Sequence, residues 1–176
     1  PADQAFERRV GNCLSFSAMF VARARNAGMH TYFQEVEIPP TWSNVDDNLL
    51  VSKQVNAIVY NKGHTFTVDI SRRKTREIER TRRLSDEEAT AQYFNNLGAD
   101  ALIAQDIALA YGYFRKALET QSDLPYVWSN IGVILRRNGQ TEDAILAYNT
   151  ALQLKPDQTV ALNNLHVIYS EDGNLE

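Results

Sequence analysis

The sequence is poor in cysteine and has no long hydrophobic run. Cys13 is the single cysteine among 176 residues, which excludes an intrachain disulfide and any site built on several cysteines. No stretch of about eighteen uninterrupted apolar residues occurs, so the sequence predicts no membrane-spanning helix. The net charge of −4 gives no overall attraction for nucleic acid. With 44% hydrophobic residues, the chain is apolar enough to fold.

Nothing in the sequence predicts a metal site or a cofactor, and we expect neither. The sequence begins with Pro1 rather than methionine, which is typical of a processed or trimmed chain. A targeting segment that has been removed fits this start, so both a cytoplasmic and an exported location stay open.

A period of 34 residues runs through the C-terminal half. Such a period is the signature of a helical repeat in which each unit is a pair of helices. Small residues let the two helices of a pair approach closely, and aromatic residues fill the space beside them. Three sets recur at this spacing in the first helix and three in the second: Phe94, Trp128 and Leu162; Leu97, Ile131 and Leu165; Gly98, Gly132 and His166; Ala110 and Ala144; Phe114 and Tyr148; Ala117 and Ala151.

The segments FNNLG, WSNIG and LNNLH, with Pro156 closing a unit, resemble the tetratricopeptide repeat (TPR). The units cover 91–124, 125–158 and a partial or capping unit at 159–176. This resemblance implies an all-α solenoid whose concave surface holds a protein or peptide. We therefore expect at least half of the chain to bind another polypeptide.

A column of amides repeats with the same period: Asn96, Asn130 and Asn164. In TPR proteins this position resembles the one that lines the concave surface, as in the asparagine ladder of the O-linked N-acetylglucosamine transferase arm. The amides could bind an extended peptide backbone, since each both donates and accepts. They could equally bridge adjacent helices. Arg136 and Arg137 add positive charge in the last turn of the same helix, which favours an acidic or C-terminal peptide.

The N-terminal half begins with a predicted helix over 13–27, with Cys13 in its first turn and Gly28 as its C-cap. The helix N-terminus favours a thiolate there. A strand follows over 32–38, then a loop carrying Trp42. Two further strands are predicted over 49–60 and 64–70, joined by a turn at Asn61-Lys62-Gly63.

The segments RVGNCLSFSAMFVARARNAGM and VNAIVYNKGHTFTVDI resemble the transglutaminase-like superfamily of cysteine acyl-transfer enzymes over residues 9–71. The family's domain usually has a longer segment before the cysteine, so we expect its N-terminal part to be missing. The resemblance implies a papain-like helix packed on an antiparallel sheet. It also implies a triad in which a cysteine attacks a carbonyl, a histidine acts as base and an aspartate orients it. Cys13 and Asp69 take the first and third places.

The histidine of the triad is the place where this sequence departs from the family. Antiparallel pairing from the turn puts Val55 opposite Asp69, within about one residue, so the site beside Asp69 lies near Gln54. The resemblance aligns the histidine with Gln54, and an amide cannot take a proton from a thiol. We therefore expect a catalytically impaired domain, a pseudoenzyme, in which Cys13 is either a weak nucleophile or a small buried residue.

The alternative is an active cysteine peptidase or amide acyl-transferase whose base is His64 or His30. His64 sits beside the turn, about 16 Å along the strand from Asp69 at about 3.3 Å per residue. No hydrogen bond spans that distance. His30 follows the helix C-cap and has no motif around it, so the surface interpretation is favoured for both.

Between the halves lies SRRKTREIERTRRL, whose arginines are not interleaved with aromatic residues and are followed by acidic residues. This pattern favours a basic connector over 72–90 rather than a nucleic-acid site. Ser85 and Glu88 have capping-box spacing and predict a helix start at Asp86. The sequence thus predicts an α+β chain in three parts: a truncated transglutaminase-like domain (1–71), the connector, and TPR repeats (91–176). We interpret it as a bacterial-type protein with a peptide-docking arm.

Overall fold

A computed structural model describes residues 13–37, 42–45, 48–51, 54–69, 80–171 and 173. The side chains of Cys13, Glu37, Asn48, Leu49 and Val51, and those of residues 42–45, lie outside the described residues. The helices are α1 (Cys13–Asn26), α2 (Asp86–Ile103), α3 (Ile107–Thr120), α4 (Pro125–Arg137), α5 (Thr141–Leu154) and α6 (Thr159–Glu171). The strands are β1 (His30–Glu37), β2 (Trp42–Val45), β3 (Asn48–Val51), β4 (Gln54–Asn61), β5 (His64–Val68) and β6 (Arg80–Leu84).

The chain divides into two compact units, and the division differs from the one predicted. The first unit is built from 1–40 and 53–93, and the second from 41–52 and 94–176. Residues 41–52, which the sequence assigned to the N-terminal domain, belong with the repeats. The second division falls between Tyr93 and Phe94 within α2, whereas the repeats were predicted to start at residue 91.

The first unit is a four-stranded antiparallel sheet in the order β5-β4-β1-β6 with α1 packed against it. Its core joins the apolar face of the helix to alternate residues of the strands. Asn56 and Ile58, on the opposite face of β4, are buried as well. Gly28, at φ 75°, ends α1 as expected of a left-handed C-cap. The core consists of Leu14, Val21, Phe33, Val55, Ala57, Leu84 and Ala89.

The hairpin between β4 and β5 has a two-residue turn. Lys62 and Gly63 both have positive φ, 48° and 83°, as a type I′ turn requires. Asn61 consequently pairs with His64, and Ala57 with Val68. The hairpin was predicted correctly, but its register differs by one residue: continued past Val68, the pairing places Asp69 beside Asn56 instead of Val55.

Two expectations about the strands were wrong. The segment with Trp42, predicted as a loop, is strand β2, and the single strand predicted over 49–60 is divided into β3 and β4. Part of the predicted connector is also a strand, because Arg80–Leu84 pairs with β1 as β6. Residues 70–79, which hold the other connector arginines, lie outside the described residues.

The capping box at the start of α2 is confirmed. The Glu88 amide donates to Ser85 Oγ at 3.0 Å, and the Ser85 amide donates to Glu88 Oε2 at 2.8 Å. The helix begins at Asp86. These bonds give partners to two backbone amides that have none within the helix. Relative to the 34-residue period, α2 starts five residues earlier than the later first helices, α4 and α6.

The second unit contains the helical repeat. Helices α3 and α5 begin at Ile107 and Thr141, and α4 and α6 begin at Pro125 and Thr159. Both pairs of starts are 34 residues apart (141 − 107 and 159 − 125). The structure therefore confirms the helical period that the sequence predicted.

Glycines permit the close approach of paired helices. A Cβ at Gly98 would lie 2.5 Å from the ring of Phe114, and one at Gly132 would lie 2.5 Å from the ring of Tyr148. Both rings are completely buried. The aromatic residue of each second helix therefore occupies the space that a side chain on the first helix would need.

We expect Gly132→Ala to lower the free energy of unfolding by about 1–3 kcal/mol, because its methyl group overlaps the buried Tyr148 ring. Urea denaturation measures this. The matched control is Gly112→Ala on α3, where an added Cβ meets nothing within 4 Å. There the better helix propensity of alanine should stabilise the protein by up to about 1 kcal/mol. Equal effects of the two substitutions would contradict the packing argument.

A cluster of charges joins β6, β1 and the first turn of α2. Arg82 forms ion pairs with Glu35, at 2.9 Å, and with Glu88. Burial raises the pKa of Glu88, but the hydrogen bonds from Arg82 and the Ser85 amide outweigh it, and the net pKa is lowered. The hydrogen bond from Arg25 lowers the pKa of Asp86 in the same turn. The cluster therefore stabilises the ionised form of Asp86 and Glu88 in the folded protein.

This cluster predicts an acid-dependent loss of stability. A carboxylate whose pKa is lower in the folded than in the unfolded state contributes stability above its ordinary value near 4.3, and loses it as pH falls through the folded value. We expect Tm to fall as pH is lowered below about 4. Glu88→Gln keeps the capping-box geometry but removes the charge, so its acid slope should be shallower. Glu87→Gln, at an exposed neighbour, should keep the native slope; identical slopes for both variants would refute the assignment.

Candidate functional site

The first candidate site lies where α1 begins. Cys13 is the first residue of α1, as predicted. One turn later, Ser17 Oγ donates a buried hydrogen bond of 3.2 Å to the carbonyl oxygen of Val55, next to Gln54. At the other end of the helix, Arg25 donates to the carbonyl oxygen of Thr31 at 3.3 Å. The helix therefore runs from the Gln54 end of the sheet towards the Thr31 end, with Cys13 at the Gln54 end.

Asp69 and Gln54 come to the same end of the sheet. Gln54 is the first residue of β4, and Asp69 follows Val68, which pairs with Ala57. If the pairing of β4 with β5 is continued by one residue, Asp69 lies opposite Asn56. Asn56 is two residues, or about 7 Å along the strand, from Gln54. The structure thus brings the backbone of all three predicted triad positions to one end of the first unit.

The side chains of β4 alternate between the two faces of the sheet. Val55 and Ala57 pack in the core with Leu14 and Val21 of α1. Gln54 therefore lies on the face away from α1, because successive side chains of a strand point to opposite faces. A side chain at position 54 reaches the start of α1 only around the end of the strand.

Neither alternative histidine lies at this end. His30 pairs with Tyr60, and His64 pairs with Asn61. Both are exposed. They are thus at the turn end of β4, opposite positions six and seven residues from Gln54, or about 20 Å or more along the strand. The geometry argues against either as a base for Cys13.

A cavity of about 180 Å³ lies between α1, β1 and the first turns of α2. Its wall is mainly apolar, with three hydroxyl-bearing side chains, Ser15, Thr90 and Tyr93. Thr90 donates to the carbonyl oxygen of Asp86 at 2.7 Å, so its hydroxyl is already engaged. The lining residues are Leu14, Ser15, Ala18, Phe33, Ala89, Thr90 and Tyr93.

The second candidate site is the asparagine column of the repeats. Asn96 is 6% exposed, and Asn130 and Asn164 are completely buried. Asn130 Nδ2 donates to Asn95 Oδ1 at 2.8 Å, and Asn95 donates in turn to Asn96 Oδ1 at 3.3 Å. The bridging interpretation therefore fits the geometry of Asn130 better than direct peptide binding.

Asn164 also lies close to Tyr148 on the preceding helix, α5. Desolvation raises the pKa of Tyr148 on α5, and the charge of Arg136 and the amide of Asn164 partly oppose that rise. Asn95 was not predicted as a bridging residue. The asparagine doublet at 95–96 was the available signal.

The two arginines at the end of α4 are engaged within the repeats. Arg136 donates to both carboxylate oxygens of Glu171, at 2.7 and 2.8 Å. Arg137 donates to the carbonyl oxygen of Leu102 at 3.3 Å. Glu171 was not predicted as a partner, since it lies 35 residues from Arg136 in the sequence.

Strand β3 lies against α4 and α6. These are the first helices of the second and third repeat units. Leu50 of β3 is completely buried. The first helices, on which we expected a guest peptide, are therefore in contact with a segment of the chain itself.

Comparison with known proteins supports the repeat assignment. The sequence profile described as "Tetratricopeptide repeat" matches residues 125–158, the limits predicted for the second unit. This chain contains a TPR. The photosystem I assembly protein Ycf3 of Rippkaea orientalis is 36% identical over 89 residues, which cover 49% of this chain and 50% of that protein. Ycf3 of Cyanophora paradoxa is 37% identical over 87 residues, with the same coverage.

The chain spans about half the length of these curated relatives. The repeat fits a protein-interaction role. Among the described residues, no helix has both the length and the apolar character needed to cross a membrane. The same residues contain no group of three or more metal-ligating side chains.

Truncating Asn130 tests the amide bridge. We expect Asn130→Ala to lower the free energy of unfolding by about 1–3 kcal/mol, because a buried hydrogen bond to Asn95 is lost. The shift of the urea midpoint measures the effect. Asn149→Ala, at an exposed position of α5, is the control and should stay within about 0.5 kcal/mol of the native protein. A neutral Asn130→Ala would show that the bridge is dispensable.

Proposed function

We propose that the chain is a docking protein whose TPR repeats bind an acidic segment of a protein partner. The observation that carries the proposal is the ion pair of Arg136, in which one guanidinium nitrogen donates to both oxygens of the Glu171 carboxylate. A carboxylate of a guest, from a side chain or a chain end, can make the same contacts. The side chain of Arg136 is 14% exposed, whereas that of Glu171 is 61% exposed.

This difference in exposure makes Glu171 the replaceable member of the pair. Surface ion pairs contribute little to stability because water competes for both charges. Breaking the ion pair with Glu171 therefore costs little free energy, and a guest carboxylate can take its place. Arg137, one residue further on and held by the Leu102 carbonyl, adds positive charge for the same guest.

The relatives named above are assembly proteins for photosystem I. By analogy with these relatives, we propose that this chain also binds a protein partner. We propose that the column of Asn96, Asn130 and Asn164 supports the guest site indirectly. These amides are buried, and the hydrogen bond from Asn130 to Asn95 joins the first helices of two repeat units.

The experiment measures binding of labelled octapeptides by fluorescence polarisation. We expect an acidic peptide with a free C-terminus to bind more tightly than amidated neutral or lysine-rich peptides, and its affinity to fall with salt. Arg136→Ala should weaken binding at least about fivefold, equivalent to about 1 kcal/mol. Glu171→Gln should strengthen it, because the internal competitor loses its charge.

Arg115→Ala is the matched control. Arg115 pairs with Glu119 on the exposed face of α3, at 3.1 Å. Its removal should leave peptide affinity unchanged. Equal affinity for acidic and lysine-rich peptides, or equal effects of the two arginine variants, would reject an acidic guest.

We also propose that the first unit has a transglutaminase-like fold that lacks the proton chemistry of the family. Three observations support this: α1 begins at Cys13, it packs on an antiparallel sheet, and Gln54 and Asp69 lie at the same end. Glutamine offers hydrogen bonds but no titratable imidazole. The unit would then accompany the docking repeats as a pseudoenzyme.

Restoring the imidazole tests this assignment. We expect Gln54→His to increase the iodoacetamide alkylation rate of Cys13 near neutral pH and to produce measurable turnover on a panel of amide substrates, because a base would then serve the thiol. Gln54→Ala is the control and should produce neither change. If the histidine variant matches the alanine variant in both measurements, position 54 is not the place of the lost base.

A further inference from the structure

The segment between β1 and β4 is an excursion from the sheet. These two strands pair directly, with Val36 opposite Gln54 at the end where the segment leaves. Antiparallel neighbours can be joined by as few as about two residues. Residues 38–53 are much longer than this connection needs. Within them, 41–52 belong to the compact unit of the repeats and not to that of the sheet.

The excursion contains a small two-stranded sheet, β2 paired with β3 from Trp42 opposite Val51 to Val45 opposite Asn48. Each strand has four residues. An isolated hairpin of this size is marginally stable in water. Its order therefore depends on the surface against which it lies.

That surface is formed by first helices of the repeats, because β3 contacts α4 and α6. Helix α4 has eight buried residues, including Tyr126, Ser129, Asn130 and Val133, and none of its residues is exposed. A helix at the surface of a solenoid normally keeps one polar, solvated face. Since β3 contacts α4, we infer that β3 covers the face of α4 that solvent would otherwise reach.

Leu50 is the anchor of this cover. Its side chain is 0% exposed and is among the largest that are completely buried. Burial of one leucine contributes about 1.5–3 kcal/mol, which is substantial for a hairpin of this size and small beside the stability of a whole domain. This contribution keeps the β2–β3 hairpin on the helices in most molecules. It is also small enough for the hairpin to detach locally while the helices stay folded.

We propose that the inner face of α4 and α6 is a docking surface for an extended segment with a leucine anchor, and that β2–β3 occupies it as an internal ligand which a partner must displace. This inference rests on the proposed docking function and adds its regulation. A tethered ligand has an effective concentration on the order of millimolar, so it suppresses binding of a free competitor of equal affinity.

The test uses a labelled synthetic peptide of residues 41–52 as the probe, added to the full chain. We expect weak binding to the native protein and binding at least about tenfold tighter to Leu50→Asp, in which the internal segment is released. Leu50→Ala should give an intermediate gain. A peptide carrying the same Leu50→Asp change should not bind either protein. Leu146→Asp, at a leucine of α5 that is 64% exposed, is the control and should behave as native.

Hydrogen exchange of the native chain provides a second measurement that needs no variant. Amides of 42–51 should exchange faster than those of α4 and α6, through a local opening that leaves the helices protected. Equal protection of hairpin and helices would overturn the proposal. So would loss of the helical signal in Leu50→Asp with native behaviour of Leu50→Ala, since the hairpin would then be an integral part of the repeat core.

Equal binding of the 41–52 probe to native protein and Leu50→Asp would also overturn it. Failure of the acidic octapeptides has a different meaning. It would reject an acidic guest. The proposal that β2–β3 is an internal ligand would still be tested by the 41–52 peptide.

Discussion

Paired helices of the repeats can close because a glycine stands where the aromatic ring of the partner helix arrives. Gly98 admits Phe114, and Gly132 admits Tyr148, each at a distance that leaves no room for a Cβ. Ala110, Ala117 and their counterparts then become completely buried. The missing side chains of these two glycines therefore set the distance between the paired helices of the repeats.

The helical repeat could be predicted from the sequence because its cause is local and periodic. Side-chain volumes at fixed spacing determine which helices can pair, and the spacing is visible without coordinates. The capping box at Ser85 was equally predictable, since its two bonds join residues three apart. Strand β6 was not, because its arginine-rich sequence resembles a solvated connector. Its pairing depends on β1, about fifty residues earlier, and on the ion pairs of Arg82.

The candidate sites were predictable in position more than in environment. Hairpin pairing placed Gln54 near Asp69, whereas Cys13 joined them only through the resemblance to the transglutaminase-like superfamily. The face that Gln54 occupies depends on which residues of β4 pack against α1, and the hairpin pattern does not contain that information. The hairpin register was one residue away from the prediction because the turn has two residues, Lys62 and Gly63, and not three. The buried bridge from Asn130 to Asn95 joins residues of two repeats. Sequence spacing indicated that these helices are neighbours but could not choose between bridging and binding a guest.

The direct pairing of β1 with β4 has a consequence for the segment between them. Neighbouring strands lie about 4.8 Å apart, so both ends of the excursion are pinned at nearly one point. The sheet has already closed this loop, whether or not β3 is seated. A released segment can return in well under a millisecond and cannot be lost by dilution. Under the proposed displacement, binding of the chain's own segment is thus independent of protein concentration, and displacement depends only on the concentration and affinity of the partner.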